Sequence, residues 1–332
     1  MRLGLALPHY DYSFPDPGPL SWERLRDAAV RAERLGFDSA WVSDHFFLTL
    51  ARYGGDDEPR GSLEPMTALA ALATATSTLR LGTLVLGPFR HPGLLAKMAT
   101  VVDLVSGGRF DLGIGAGWYE DEFQAFGYEF GSTGERFALL EETLAVLQLL
   151  FSEGPASFAG EHLHLDAAYN HPAPAQRPGP PVWLGAKGGP RSLRLAARHA
   201  DGWNTVWRWT VEDYAERVAE ARQACEREGR DPASLRLSVG LYALVGTDRA
   251  DLARRYEALR RWTPGGALDD EPLERFANGA LVGTVEEAVE TVGRFAELGV
   301  EEIIVSPASL PFAVGDWDQM ELLATGLLPR IR

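Results

Sequence analysis

Along this chain, short apolar runs alternate with longer stretches that carry apolar residues on one helical face. The first pattern is that of strands buried on both sides and the second that of helices laid against them, so the alternation predicts a parallel sheet wrapped by helices. Eight strands are expected, over residues 3–7, 39–42, 81–86, 110–114, 182–185, 202–205, 237–245 and 302–306. Helices are expected over 22–35, 66–74, 94–105, 136–151, 191–199, 211–227, 252–261 and 285–298. Gly36 and Gly299 stand just before strands, where glycine ends a helix in the left-handed conformation. Eight β/α units in series predict a closed (β/α)8 TIM barrel, one α/β domain over residues 1–332. A doubly wound sheet is the rival fold. It needs a glycine fingerprint after the first strand, where this chain has Pro8-His9-Tyr10.

Two insertions interrupt the rhythm. Residues 157–181 read as a hairpin followed by a crossing rich in proline (Pro172, Pro174, Pro178, Pro180, Pro181), expected to cap the barrel mouth. Residues 263–279 contain Pro264-Gly265-Gly266 and Asp269-Asp270-Glu271, a composition expected of a mobile loop.

Composition narrows the partners. The formal charge of −15 argues against a nucleic-acid surface or a basic membrane patch and for a dissolved small molecule. The single cysteine, Cys225, excludes an internal disulfide framework and a multi-cysteine metal site. The chain opens directly into a strand, with no signal peptide and no apolar run long enough to span a bilayer, so a cytoplasmic protein is expected.

In a barrel of this kind the chemistry sits at the carboxyl ends of the strands. The fourth strand runs into GRFDLGIGAGWYEDEFQAFG, residues 108–127, where glycines allow close backbone approach to a flat ring and Glu120, Asp121 and Glu122 offer proton-handling groups. The second strand ends in Asp44-His45-Phe46, a carboxylate and imidazole suited to proton transfer near neutral pH. The fifth ends in Gly185-Ala186-Lys187-Gly188-Gly189, whose freed amides and following helix suit a phosphate. His9 ends the first strand, and Trp118, Trp207, Trp209, Phe46 and Phe89 are candidates for an aromatic substrate pocket. His162, His164 and Asp166 alternate on one strand with a spacing able to hold a divalent metal. They lie within a single inserted hairpin rather than over several strand ends, so no metal site is expected.

Four segments carry a family resemblance: GFDSAWVSDH (36–45), TSTLRLGTLVLGPFRHPGLLAK (76–97), DLVSGGRFDLGIGAGWYEDEFQAFG (103–127) and PPVWLGAKGGPRSLRLAARHADGWN (180–204). Over essentially its whole length the chain resembles the luciferase-like monooxygenase superfamily of flavin and deazaflavin (coenzyme F420) barrel oxidoreductases, above all its F420-dependent branch. The resemblance implies that Asp44 and His45 contact the deazaflavin, with His45 the proton donor or acceptor. It implies that Leu84 and Val85 form a bulge where relatives hold a non-prolyl cis peptide against one ring face. Gly115, Ala116 and Gly117 match the segment beside the ring, and Gly185, Ala186, Lys187, Gly188 and Gly189 the loop that takes the cofactor phosphate. Trp118 stands where sugar-phosphate dehydrogenases of the superfamily place an acidic proton donor, and Glu120 is the candidate to replace it. Pairing of relatives through helices flanking strands two and three implies a homodimer.

The function this implies is a two-electron hydride transfer between F420 and a small, partly apolar organic substrate. The alternatives are an FMN-dependent monooxygenase and a flavin-binding protein without turnover.

Overall fold

The computed structural model describes residues 1–84 and 88–332. Eight parallel strands close into a ring: β1 (Arg2–Ala6), β2 (Ser39–Ser43), β3 (Arg80–Leu84), β4 (Phe110–Ile114), β5 (Val182–Gly185), β6 (Gly202–Val206), β7 (Arg236–Gly246) and β8 (Val300–Ser306). Each pairs with the next, through registers such as Leu5 with Ala40 and Asn204 with Ser238, and β8 closes the ring by pairing Leu3 with Ile303. All eight expected strands are present, within two residues of the expected ends wherever the chain is described. The expected end of the third, residues 85–86, lies outside the described residues.

The expected helices are present as well. Trp22–Leu35 ends on Gly36, whose φ of 86° places it in the left-handed region and whose N–H reaches the carbonyls of Ala32 and Glu33. Thr133–Phe151 begins with a capping box in which the side chains of Ser132 and Glu135 each accept from the other's backbone amide. An additional strand, Leu281–Thr284, was not anticipated. It pairs parallel to the far half of β7, from Ala243 to Gly246.

The lower half of the barrel is filled. Trp41 and Trp183 meet edge to face inside it, with ring centres 6.2 Å apart. Glycine makes room for both. A Cβ on Gly82 would lie 2.3 Å from the Trp41 ring, and one on Gly202 as close to Trp183. Below the tryptophans a polar layer satisfies their indole N–H groups: Trp41 donates to Ser39 Oγ and Trp183 to Asp111 Oδ1, while Arg80 pairs with Asp111 at 2.7 Å. The C-terminal helical segment closes this end, with Leu323, Leu327 and Leu328 buried and the Met1 amine donating to Ile331 O. With the floor sealed, the open space lies at the carboxyl ends of the strands.

The two insertions differ from expectation. The hairpin, Ala156–Ala159 with His164–Ala168, does not cap the mouth. It lies on the outer flank, where the Glu142 carboxylate of helix Thr133–Phe151 accepts the amides of Glu161, His162 and Leu163 at 2.7, 3.0 and 2.8 Å. The proline-rich crossing continues toward the amino end of β4, where the Gln176 side-chain amide donates to Phe110 O and Asp103 Oδ1, both at 2.7 Å. The second insertion does reach the mouth. It is built around buried Leu268 and Phe276 and a short helix, Leu273–Ala277, rather than being a featureless loop.

Candidate active site

A cavity of about 890 Å³ opens at the carboxyl ends of the strands, and residues within or after each of the eight contribute to its wall. Tyr10 follows β1, Ser43 and His45 come from β2, and Leu84 ends β3; Ala116, Gly117 and Trp118 follow β4. Gly185, Ala186 and Lys187 close β5, Val206, Trp207 and Arg208 extend β6, Tyr242 comes from β7, and Ser309, Pro311 and Phe312 follow β8.

His45 is held from behind. Its Nδ1 lies 2.7 Å from Glu122 Oε1, and the other oxygen of the same carboxylate accepts the backbone N–H of Phe46 at 2.9 Å. Glu122 is buried, while Glu120 is exposed and accepts from Gln124 Nε2. The expectation that Glu120 acts in the site is therefore corrected: both belong to the short helix Glu120–Ala125, and two helical steps turn a side chain by about 200°. Trp118 meets the His45 ring edge to face at 5.5 Å, and Arg52 stacks its guanidinium over Trp118 at 4.2 Å.

Beneath this pair runs a buried hydrogen-bonded chain. The Tyr10 hydroxyl lies 2.6 Å from Ser43 Oγ, which lies 3.1 Å from His9 Nε2, and His9 Nδ1 sits 2.8 Å from the carbonyl of Leu7. Burial lowers the pKa of His9 to about 4 and pushes that of Tyr10 well above its ordinary value, so both rings are neutral at physiological pH. His9 was expected in the substrate pocket. It is instead enclosed one residue behind Tyr10, which takes the wall position. Phe46 is also turned away, stacked on Phe126 at 4.1 Å and tilted against Phe89 at 4.7 Å. The aromatic lining includes Trp118 and Trp207, with Tyr10, Tyr53, Phe137, Tyr242 and Phe312.

Cations are set among these rings, with Arg52 over Trp118 and Arg208 over Tyr242 at 5.6 Å. Among the described residues, Arg52, Arg136, Lys187, Arg208 and Arg275 line the cavity against the two acids Asp213 and Glu271, in a chain whose formal charge is −15. Lys187 donates to Trp207 O at 3.1 Å; withdrawal from water, and secondarily the nearby Arg52, lower its pKa to about 8. The loop after β5 leads into helix Pro190–His199, with Gly189 as its N-cap. Gly188 has a φ of +82° and packs beneath the loop, where an added Cβ would meet the Trp203 ring at 3.0 Å. Among the described residues, two buried polar atoms of wall residues, Asn204 Oδ1 and Thr205 Oγ1, have no hydrogen-bond partner.

Of the residues singled out in sequence, His45, Leu84, Ala116, Gly117, Trp118, Gly185, Ala186, Lys187 and Trp207 line the cavity together. Asp44 stands behind the wall in a buried ion pair with Arg90, with N–O distances of 2.7 and 3.2 Å. Gly115 borders a separate cleft of about 170 Å³. Gly188 and Gly189 support the β5 loop from outside the wall, and Val85 lies outside the described residues. Among the described residues, no three His, Cys, Asp or Glu side chains gather in a way that would hold a metal ion, and His162, His164 and Asp166 do not do so. Arg52, Arg136, Arg208, Arg275 and Glu122 were not anticipated as site residues. The four arginines carried no signal along the chain; Glu122 stood in the noted acidic cluster but was indistinguishable from its neighbours.

Comparison with known proteins places this architecture. Residues 1–302 match the model of the luciferase-like monooxygenase family. An F420-dependent hydroxymycolic acid dehydrogenase of Mycobacterium tuberculosis is 30% identical over 93% of this chain and 85% of its own length. An F420-dependent glucose-6-phosphate dehydrogenase of Nakamurella multipartita is 30% identical over 93% of this chain and 92% of its own. The solved structure of an F420-dependent secondary alcohol dehydrogenase in complex with an F420-acetone adduct shares the fold, with a TM-score of 0.78 and 22% identity over 100% of this chain and 99% of the other. The chain belongs to the luciferase-like monooxygenase family of oxidoreductases.

Proposed function

We propose that this protein is an F420-dependent oxidoreductase that moves a hydride between the deazaflavin and a small, partly apolar organic molecule. The observation that carries this reading is one cavity lined by both aromatic rings and an excess of cations, with His45 against Trp118 on its wall. An anionic, ring-bearing cofactor fits that lining. Lys187, Arg136 and the amides of the β5 loop would hold its phosphate, and Asn204 Oδ1 and Thr205 Oγ1, unpartnered among the described residues, offer polar contacts. When bound, F420 supplies the hydride chemistry, and the chain supplies position and electrostatics.

The remaining work falls to side chains. Trp118, Trp207, Tyr242 and Phe312 shield the reacting region from water and give an organic substrate apolar contact. His45 Nε2 takes the proton from a substrate hydroxyl during oxidation and returns it during reduction. The F420-dependent names of the two dehydrogenases that are 30% identical over nearly the whole chain support this choice of cofactor.

Pairing into a homodimer is part of the proposal. Helix Pro92–Ser106, which follows β3, exposes Leu94, Val101 and Val105 at i, i+7 and i+11, an apolar stripe of the kind that a second copy would cover. The catalytic reading is tested by mixing the purified protein with oxidised F420 and a panel of primary and secondary alcohols. Loss of the oxidised chromophore's absorbance with at least one alcohol is expected, together with the reverse reaction on the matching carbonyl compound. Absence of both across alcohols, aldehydes and ketones, with F420 bound, would reject hydride transfer to this class of substrate.

A further inference from the structure

We propose that Glu122 is the positioning residue of the site: its carboxylate fixes the His45 ring with the proton on Nδ1 and turns an unprotonated Nε2 toward the cavity. The inference rests on the reading of His45 as the proton-transferring group.

The argument is one of donors and acceptors. Glu122 is 2% exposed and has two oxygens, each facing one partner. Oε2 lies 2.9 Å from the amide nitrogen of Phe46, which is a donor without exception. Oε1 lies 2.7 Å from His45 Nδ1. An ionised carboxylate only accepts, so Nδ1 must carry the hydrogen, and the neutral imidazole is left with its lone pair on Nε2. Among the described residues, Nε2 has no hydrogen-bond partner, and His45 lines the cavity. Among the described residues, no arginine or lysine engages Glu122, so its charge is directed at the imidazole and one amide.

The Phe46 contact adds geometric control. A single carboxylate grips both the ring of His45 and the backbone one residue on, which fixes the direction in which the imidazole leaves the chain. Phe46 is thereby turned out to its stack on Phe126. The arrangement is that of a base oriented by a third group from a different strand-end segment. Glu122 is not among the residues that line the cavity, so its influence passes through His45.

The test uses full-length protein labelled with ¹⁵N-histidine. Seven histidines give a tractable spectrum, and His45 is assigned by the signal lost in His45→Gln. In the wild type the neutral His45 ring should show the Nδ1–H form. In Glu122→Ala the ring should shift to the Nε2–H form or to a mixture of the two. Glu122→Gln, which retains one acceptor for the Phe46 amide, serves as the folding control and should show partial loss of the Nδ1–H form.

F420 affinity should stay within about twofold in both variants, because Glu122 lies off the wall. With 2-propanol as the probe substrate, kcat should fall at least about tenfold in Glu122→Ala with little change in KM. An unchanged tautomer in Glu122→Ala, or unchanged kcat, would overturn the proposal. If the wild type fails to bind F420 or to turn over 2-propanol, the functional reading or the choice of probe is at fault, and the tautomer measurement still decides the role of Glu122.

Discussion

Adjacent glycines at 188 and 189 serve different ends. Gly188 sits at a φ of +82° with the Trp203 ring 3.0 Å from where a Cβ would lie, so any side chain there strains the loop before a ligand is considered. Gly189, with a φ of −68°, has open space around its Cβ position. Gly188→Ala should therefore destabilise the fold by about 1–3 kcal/mol, measured by chemical denaturation. Gly189→Asp should leave stability unchanged and reduce F420 affinity at least tenfold, since it sets a carboxylate beside the amides proposed to hold the phosphate. Unchanged affinity in that variant would place the phosphate elsewhere.

Lys187 supplies a pH signature. Its pKa of about 8 means that the free protein loses a positive charge from the cavity as pH rises past that value. Affinity for an anionic cofactor should accordingly be fully expressed below pH 8 and weaken above it, and Lys187→Met should flatten the profile. His45 gives the complementary result. His45→Ala should lower kcat by about a hundredfold or more while F420 still binds.

Residue identity was legible in the sequence where a strand end dictated it, as with His45, Trp118 and the β5 loop. Choosing among Glu120, Asp121 and Glu122 required the orientation of the short helix that carries them, which three consecutive carboxylates do not reveal.

At the scale of elements, the eight strands were legible because barrel strands buried on both faces leave short, mostly apolar runs between amphipathic helices. The strand Leu281–Thr284 escaped notice because it is four residues long and follows a polar insertion, and its partner is only the overhanging half of β7. The hairpin is evident in the sequence, but its place on the outer flank is not. Its position is set by Glu142, a residue within a helix that gives no sign of its partners along the chain.

That carboxylate carries a prediction of its own. Burial opposes its ionisation, yet three backbone amides outweigh burial and hold its pKa below the usual glutamate value. A depressed native pKa contributes stability at neutral pH that is lost as pH falls through the native value. Glu142→Ala should thus cost about 1–3 kcal/mol at pH 7, and the difference from the wild type should shrink as the solution is acidified. Thermal melts at pH 7 and pH 4 check both statements. Equal stabilities at pH 7 would mean that the hairpin is held by Phe158 and Leu165 against the core and not by the carboxylate.

Across the whole molecule, charge is sorted. A chain with a formal charge of −15 places four arginines and a lysine around one cavity, which makes the mouth an attractor for anions on an otherwise acidic body. No helix among the described residues is long and apolar enough to cross a membrane. The most exposed apolar helix face belongs to Pro92–Ser106. If that stripe is the dimer interface, Val101→Lys should convert a dimer to a monomer in sedimentation velocity without lowering the melting temperature of the barrel by more than a few degrees.

The proposed cofactor remains the point on which the functional reading stands. Titration of the purified protein with F420 and, separately, with FMN, followed by fluorescence, tests it directly. Saturable F420 binding that is tighter than FMN binding and is weakened by Gly189→Asp is the expected result. No F420 binding, or preferential binding of FMN, would contradict it.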